Sequence, residues 1–584
     1  MNKFNIGEYL CNREKGTNKG HCKQCSAAVL WSRERIASHK RKSCPVPLTE
    51  NEKDLFAIKK IRRDEQELTF NSNEPIVQNI QLLDADKKDK IDKAFSHFFF
   101  RTGISFRVAD SDAFRKLIKE LNPLYHEVLP NSSKLCTQML QNEHSKLRDV
   151  LDKLLENASE LTLTSDGWSN IRGEHLVNFI IQAPNHKPIF YKTINTSGIT
   201  QTSEAISNEI TNVILEVGEK KFCALITDNA VVMRGAWKLI ESRFPHISAN
   251  GCAAHVMNLL IKDIMDISIY KQVATSAGKI IKFINNHHNV LAKFEEIKND
   301  IGVTHKLSLP VTTRWYSHYI SINDLINAKY ACIKLVDTEP TIADITPKDK
   351  SKEVINLIRN NVFWEKAILL AKILEYPTKI IGIFENDSST LDKVYHYFGE
   401  LYKHFEHDIV IQQLVKKRWD FIMTESIGIS YMLSPASVLN NFYIDDDKID
   451  IMGQIKSIAD TRYGDDVGEK VLPEFTKFVD KIKNLNESRK ATILNLNAIN
   501  YWKLIGFNEF PNLYKIASTT CGIPCSSAAS ERIWSTYRFI HSRLRNRLGN
   551  DKIEKLVFIY INCSNLDTCD IEDYISEEII TCSD

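Results

Sequence analysis

No stretch of the chain approaches the roughly 18 consecutive apolar residues that a membrane-spanning helix needs, and the opening MNKFNIGEYL has no apolar signal core. A membrane-spanning or secreted protein is therefore not expected. Also missing are a glycine-rich phosphate loop, a Gly-x-Ser-x-Gly elbow and a His-Glu-x-x-His helix, so nucleotide hydrolysis, esterase and metalloprotease chemistry lack support. There is no internal repeat and no low-complexity tract. An excess of one charge is absent as well, since 76 Lys/Arg against 74 Asp/Glu leave +2. The 13 cysteines are scattered over 584 residues, which favours reduced thiols or metal ligands over a disulfide framework.

What is present is unevenly distributed. Residues 1–44 hold ten Lys/Arg against three Asp/Glu, a net of +7, so the remainder carries −5. Basic charge gathered at one end points to a nucleic-acid module joined to something else. Hydrophobic residues make up 43%, the balance of a globular protein, and the length predicts three or four domains. Pro45 and Pro47 end the basic segment, and residues 45–92 are polar and alternate in charge. They are read as a linker, helical in part at most, with too little apolar surface to offset the entropy of ordering.

From 93 to 157 apolar residues recur every three or four positions, predicting helices. The period then changes. LTLTSDGW, EHLVNFIIQA and PIFYKTI are short runs rich in β-branched and aromatic residues, which predict consecutive strands. TSEAISNEITNVILEVG reads as a helix, KFCALITDN as a strand, MRGAWKLIESRF as a helix, HISANGC as a short strand and AAHVMNLLIKDI as a helix. Strands followed by alternating helix and strand predict a mixed α/β layer. From 266 to 510 the helical period dominates, and two more helices close the chain before an acidic tail at 563–584.

Two constellations carry chemistry. Cys22-x2-Cys25 is followed by His39-x4-Cys44, a spacing suited to one tetrahedral Zn²⁺ ion, which would staple a segment too short to fold unaided. Arg33, Arg35, Lys40, Arg41 and Lys42 stand between or beside the ligands, where they can neutralise phosphates of double-stranded DNA. The segment resembles a BED-type zinc finger, with Phe4 and Tyr9 as its core aromatics. The second constellation is acidic. Asp166 and Asp228 each end an apolar run, and carboxylates at the ends of neighbouring strands make an oxygen-rich corner suited to Mg²⁺. Each has a plainer reading, as an Asp-Gly turn and as a helix N-cap. Glu531 falls in the first turn of a helix, where the dipole favours an acid in any case.

In order along the chain, LTLTSDGWSN, ALITDNA, GCAAHVMNLLIKD, TTRWYS and CSSAASERIWSTYRFIHSRLRNRL resemble the hAT superfamily of DNA transposases. With ISFRVADSDAFRKLIKELNPLY upstream, the resemblance runs from about 96 to 562. It implies an α/β fold: a ribonuclease-H-like mixed sheet interrupted by a large all-α insertion, plus the small N-terminal zinc finger. The expected segments are a finger at 1–44, the linker at 45–92, a helical intermediate domain at 93–157 and the first part of the core at 158–265. The insertion at 266–510 follows, then core completion and the dimerisation region at 511–562, and the acidic tail at 563–584.

The resemblance also implies an acidic triad of Asp166, Asp228 and Glu531 holding catalytic Mg²⁺ or Mn²⁺ for DNA strand cleavage and transfer. Cys252 and His255 match its Cys-x2-His element, with His255 near the scissile phosphate and Cys252 read as packing. Arg314 and Trp315 match its Arg-Trp element, suited to holding a phosphate and stacking on an unpaired base. Trp168 and Trp237 are read as core. Arg538, Arg543, Arg545 and Arg547 with His541 would line a DNA channel or form a solvated helix face. The reading that follows is a homodimeric or higher-order nuclear transposase. Its alternative is a transposase-derived nuclear DNA-binding or regulatory protein that does no catalysis, and a weaker third is a zinc-dependent adaptor.

Overall fold

The computed structural model describes residues 11–13, 19–22, 25–30, 84–311, 314–337, 348–439, 445–541 and 548–565. The chain divides into two units, 1–82 and 83–584. In the first, β1 (Cys11–Arg13), β2 (Lys19–Cys22) and β3 (Ala28–Leu30) form an antiparallel sheet in that order. The Cys-x2-Cys pair occupies the β2–β3 turn. There the Cys22 N–H donates to Ala27 O (3.0 Å), the Ser26 N–H donates to Cys22 O (2.9 Å), and Ser26 adopts φ 57°. Cys22 is buried and Cys25 partly so. His39, Cys44, Arg33, Arg35, Lys40, Arg41 and Lys42 lie outside the described residues.

The second unit is built on a five-stranded sheet of order β6-β5-β4-β7-β8. The strands are β4 (Leu161–Ser169), β5 (His175–Gln182), β6 (Ile189–Asn195), β7 (Phe222–Thr227) and β8 (Ser248–Gly251). β4, β5 and β6 run antiparallel, while β7 is parallel to β4 and β8 to β7. The sheet is covered on both faces, which explains why all six residues of β7 are buried.

The helices that matter here are α1 (Ala85–Thr102), α2 (Leu140–Glu156), α3 (Ser203–Val217), α4 (Val231–Arg243), α5 (Ala253–Met265), α6 (Ser268–Asn286), α7 (Asn361–Phe384), α8 (Ala528–Ile540) and α9 (Asn550–Asn565). Period-two alternation along β5 sorts its neighbours. Leu176 and Ile180 pack with Phe190 against α1, α2, α8 and α9. Phe179 and Ile181 pack with Leu161 and Leu163 against Ile210, Val213 and Ile214 of α3 and Ile240 of α4. α3 starts where it does because the Thr202 hydroxyl caps it, accepting the Ala205 N–H at 3.2 Å. No described helix is long and apolar enough to cross a membrane.

One boundary moves from where composition put it. α1 takes in residues 85–92 of the expected linker: Asp92 accepts the Tyr125 hydroxyl at 2.6 Å, and the buried Phe95, Phe99 and Phe100 further along the helix anchor it. At the other end, Leu513, Ile516, Ala517, Cys521, Ile523 and Cys525 share one large apolar core with α6 and α7 of the insertion and with Cys223, Ala224 and Ile226 of β7. The chain thus returns to the sheet before α8.

The return is tied by backbone hydrogen bonds. Cys525 N donates to Ser389 O (3.0 Å), Leu391 N to Ile523 O (3.1 Å), and Ala253 N to Cys525 O (2.9 Å). The returning end of the insertion is therefore held at the start of α5, one helix length before the insertion begins.

Candidate active site

The parallel register pairs Thr164 with Ile226, so Asp166 and Asp228 stand level, each two residues farther on, Asp166 within β4 and Asp228 just past the end of β7. Cross-strand partners in an antiparallel pair share a face, and Asp166 pairs with Asn178. That face is the one α8 covers. Asn178 is fully buried; its amide N–H donates to Ser530 O at 3.3 Å and its carbonyl oxygen accepts the Ser530 hydroxyl. This anchors α8 one residue before Glu531. One turn farther on, the Trp534 indole N–H donates to Asp166 Oδ2 at 3.0 Å.

Asp166 registers the convergence electrostatically. Burial pushes its carboxyl up to about 7; the Trp534 hydrogen bond opposes the rise, and the charges of Asp228 and Glu531 add to it. A carboxyl raised by burial and by neighbouring carboxylates is a mark of functional sites. A cleft of about 390 Å³ opens here, walled by Asp166, Trp168, His255, Arg314, Glu385, Glu531, Trp534 and Arg538 among others. Asp228 is not part of that wall. It is half-buried, and its Oδ1 accepts the Ala230 N–H at 2.9 Å, a turn contact; the N-cap of α4 is Ala230, so Asp228 does not cap that helix.

Glu531 is exposed, and its Oε2 lies 3.8 Å from Arg314 Nη2. Arg314 also donates to the Tyr316 hydroxyl at 3.3 Å. Its segment is held to α5, where Asn258 Oδ1 accepts the Tyr316 N–H at 3.2 Å. His255, on the same helix, is exposed on the cleft wall, so it is not a core histidine. Cys252 is buried, its sulfur accepts the Ser527 N–H at 3.3 Å, and burial raises its thiol, all of which suits packing. Trp315 is half-buried and stacks on His318 at 5.4 Å, with Lys262 Nζ 5.8 Å from its ring.

Three cleft residues were not picked out from the sequence. Glu385 follows α7 with no motif around it, and only the return of the insertion brings it near. Burial raises its carboxyl and Glu531 adds to the rise, while Arg314 and Arg532 oppose it. Trp534 was legible within SERIWS, three residues after Glu531, but nothing local said where its N–H points. Trp168 is not simply core: it is half-buried, stacks on Trp534 at 5.2 Å and walls the cleft. Trp237 is core, with its N–H on the Thr227 hydroxyl at 2.9 Å. His541 is buried, which removes it from a channel lining, whereas Arg538 is exposed; Arg543, Arg545 and Arg547 lie outside the described residues.

The donors at this site are carboxylate oxygens, the chemistry that Mg²⁺ or Mn²⁺ prefers. Their mutual charge, left on Asp166 by burial and by its neighbours, is what a divalent cation would neutralise. Among the described residues no three acid, His or Cys side chains are yet close enough to hold one ion. Cys22 and Cys25 present two thiols from one turn, as a zinc site requires of its first half.

Comparison with known proteins gives three family matches. A domain of unknown function (DUF659) matches residues 130–280, the ZBED1 RNase-like helical domain matches 251–361, and the hAT family C-terminal dimerisation region matches 474–562. The chain is 21% identical to the protein named "Putative AC transposase" of Zea mays, across 77% of this chain and 62% of the relative. It is 20% identical to "Putative AC9 transposase" of the same plant, across 77% of this chain and 63% of the relative. It thus spans about three fifths of the length of the curated relatives it matches. The chain is hAT-transposase-like, and its dimerisation-region match points to homo-oligomers.

Proposed function

We propose that this chain is a hAT-like DNA transposase that binds double-stranded DNA through an N-terminal BED-type zinc finger and cleaves and joins strands at the acidic cleft. The observation that carries the reading is the convergence on Asp166: a buried carboxyl lifted by Asp228 and Glu531, which are brought to it from a neighbouring strand and from a distant helix. The strand order, with an antiparallel meander beside two parallel strands, supports a ribonuclease-H-like core.

In this reading Asp166, Asp228 and Glu531 hold Mg²⁺ or Mn²⁺, which when bound activates water or a 3′-hydroxyl and stabilises the leaving oxygen. Trp534 orients Asp166, and the Asn178–Ser530 pair fixes the helix that carries Glu531. Arg314 and Arg538 stand exposed on the wall, where phosphates are held. His255 faces the same space and takes the role of contacting the scissile phosphate or moving a proton. Trp315 serves an unpaired base once His318 moves aside. Cys22, Cys25, His39 and Cys44 hold structural Zn²⁺, and Arg33, Arg35, Lys40, Arg41 and Lys42 contact the DNA backbone. The protein works in the nucleus as a homodimer or larger homo-oligomer.

One observation favours the second reading, a transposase-derived DNA-binding or regulatory protein without catalysis: Glu531 is turned to Arg314. The test offers purified full-length protein a duplex bearing its own element ends, with Mg²⁺ or Mn²⁺, and looks for nicks. Cleavage that disappears in Asp166→Asn while binding persists supports the enzyme. Binding without cleavage under both metals hands the case to the second reading.

A further inference from the structure

A second cleft, of about 990 Å³, opens between α4 with β8 and the helices of the insertion. It holds three cations. Arg234 and Lys238 stand one turn apart on α4, and Arg462 faces them from the helix Asp445–Tyr463. Arg234 is already oriented, with its guanidinium carbon 4.5 Å from the Phe421 ring centre and one N–H on Phe421 O at 3.4 Å. That leaves most of its five donors unused. Neither Lys238 nor Arg462 makes a hydrogen bond or ion pair with any described residue. Arg462 nevertheless lies deep enough for burial to lower its guanidinium, with Glu425 acting on it only at range.

An uncompensated, largely desolvated guanidinium is costly to keep unless something pairs with it. The cleft's two acids leave its three cations in excess by one. Glu241 gives an oxygen to the Ala249 N–H at 2.9 Å, and burial raises its carboxyl. Glu425 is exposed. The volume suits a ligand of nucleotide size. Asn229, the residue after Asp228, lines this cleft, and the charge of Asp228 acts on Asp166 of the acidic cleft, so that turn lies between the two.

We propose that this cleft is a second phosphate-binding site, taking the backbone of a nucleic-acid strand that runs on from the acidic cleft past the Asp228–Asn229 turn. Arg234, Lys238 and Arg462 are its cations. The strand's course rests on the DNA-processing reading above; the phosphate chemistry of the cleft does not. A free nucleotide would offer the same groups, and the experiment separates the two sources.

One arm measures anisotropy of a labelled duplex with a single-stranded extension on the full-length protein, across a salt series. The other titrates ATP, without divalent metal, by calorimetry. Lys238 is exposed, so Lys238→Gln carries little risk of misfolding; it should weaken DNA binding about threefold and reduce the log–log salt slope by about 0.7–0.9. Adding Arg462→Gln should bring the loss to about tenfold and the slope change to about 1.5. Arg462→Lys should recover most of the second step.

If wild type binds ATP but no DNA, and Lys238→Gln abolishes the ATP binding, the phosphate site stands and the DNA reading fails. If Lys238→Gln and the double variant bind DNA and ATP as wild type does, or wild type binds neither, the cleft is not a phosphate site.

Discussion

Replacing Asp166 by asparagine should stabilise the metal-free protein, and only above about pH 4. The carboxyl titrates ordinarily at 3.8 and is lifted to about 7 by burial and by the charges of Asp228 and Glu531. Below pH 3.8 the group is neutral in both folded and unfolded chains, so wild type and variant should be equally stable. As pH rises past that value the unfolded carboxyl ionises freely while the folded one resists, and wild type loses stability. The loss ends near pH 7, where the folded group ionises as well. A gap of about three pH units at 1.36 kcal/mol each is about 4 kcal/mol. Asparagine keeps an oxygen for the Trp534 N–H, so shape and hydrogen bond survive. Spread over the roughly 500 residues of the second unit, at about 2.1 cal/mol/K per residue, that energy moves Tm by about 4 °C. The assay is urea and thermal unfolding of both proteins from pH 4 to pH 8 in magnesium-free buffer. Mg²⁺ added at pH 8 should then raise wild type and leave the variant unmoved. A stability difference that is flat with pH, or a variant less stable than wild type at pH 8, would refute the account of Asp166.

Trp534→Phe keeps a ring stacked on Trp168 but removes the N–H at 3.0 Å from Asp166, so the Asp166 carboxyl should climb further, read by carbon-13 titration of labelled aspartate; an unchanged midpoint counts against the contact. Asn178→Ala cuts the buried tie between β5 and α8 and should cost about 1–3 kcal/mol in urea unfolding, with exchange of α8 amides accelerating first. Cys22→Ser or Cys25→Ser should remove zinc from the chain, measured by atomic emission; zinc retained at wild-type stoichiometry in both variants would defeat the finger. In wild type, chelation should leave the urea transition of residues 83–584 unchanged.

Legibility followed the range of the forces involved. β4–β8 and the helices around them were visible because period and β-branching are local. α3, for instance, follows its TSEAISNEITNVILEVG pattern from the Thr202 cap to the stop at Gly218. Asp166 and Asp228 stood out because each ends an apolar run, and parallel pairing levels them. Glu531 depended on family resemblance, since no local pattern announces that a helix returns to a sheet after so long an excursion. Glu385 had no such help: a carboxylate after a hydrophobic helix is an ordinary sight, and its approach to Glu531 comes from long-range packing. Residues 511–525 carry the same helical period whichever core they pack into, and Leu513 and Ile516 join a core shared by the helical set and β7.

Loop closure over a long insertion costs little more than over a short one, and here its returning end is pinned to the start of α5 by Ala253 N on Cys525 O and to the insertion's own interior by Leu391 N on Ile523 O. Such a clamp lets the helical mass vary in size without moving α8 against the sheet. It does more than tolerate the site, however. The sheet and α8 supply the carboxylates Asp166, Asp228 and Glu531, whereas Arg314 and Glu385 come from the insertion, and both act on Glu531. The acids and the charges that modulate them thus belong to different parts of the chain and meet only when the clamp is closed. A chain trimmed of its insertion would keep the carboxylates of the sheet and lose the cation beside Glu531. Opening the insertion by even a turn would therefore take the cation away from the third acid before it disturbed the first two.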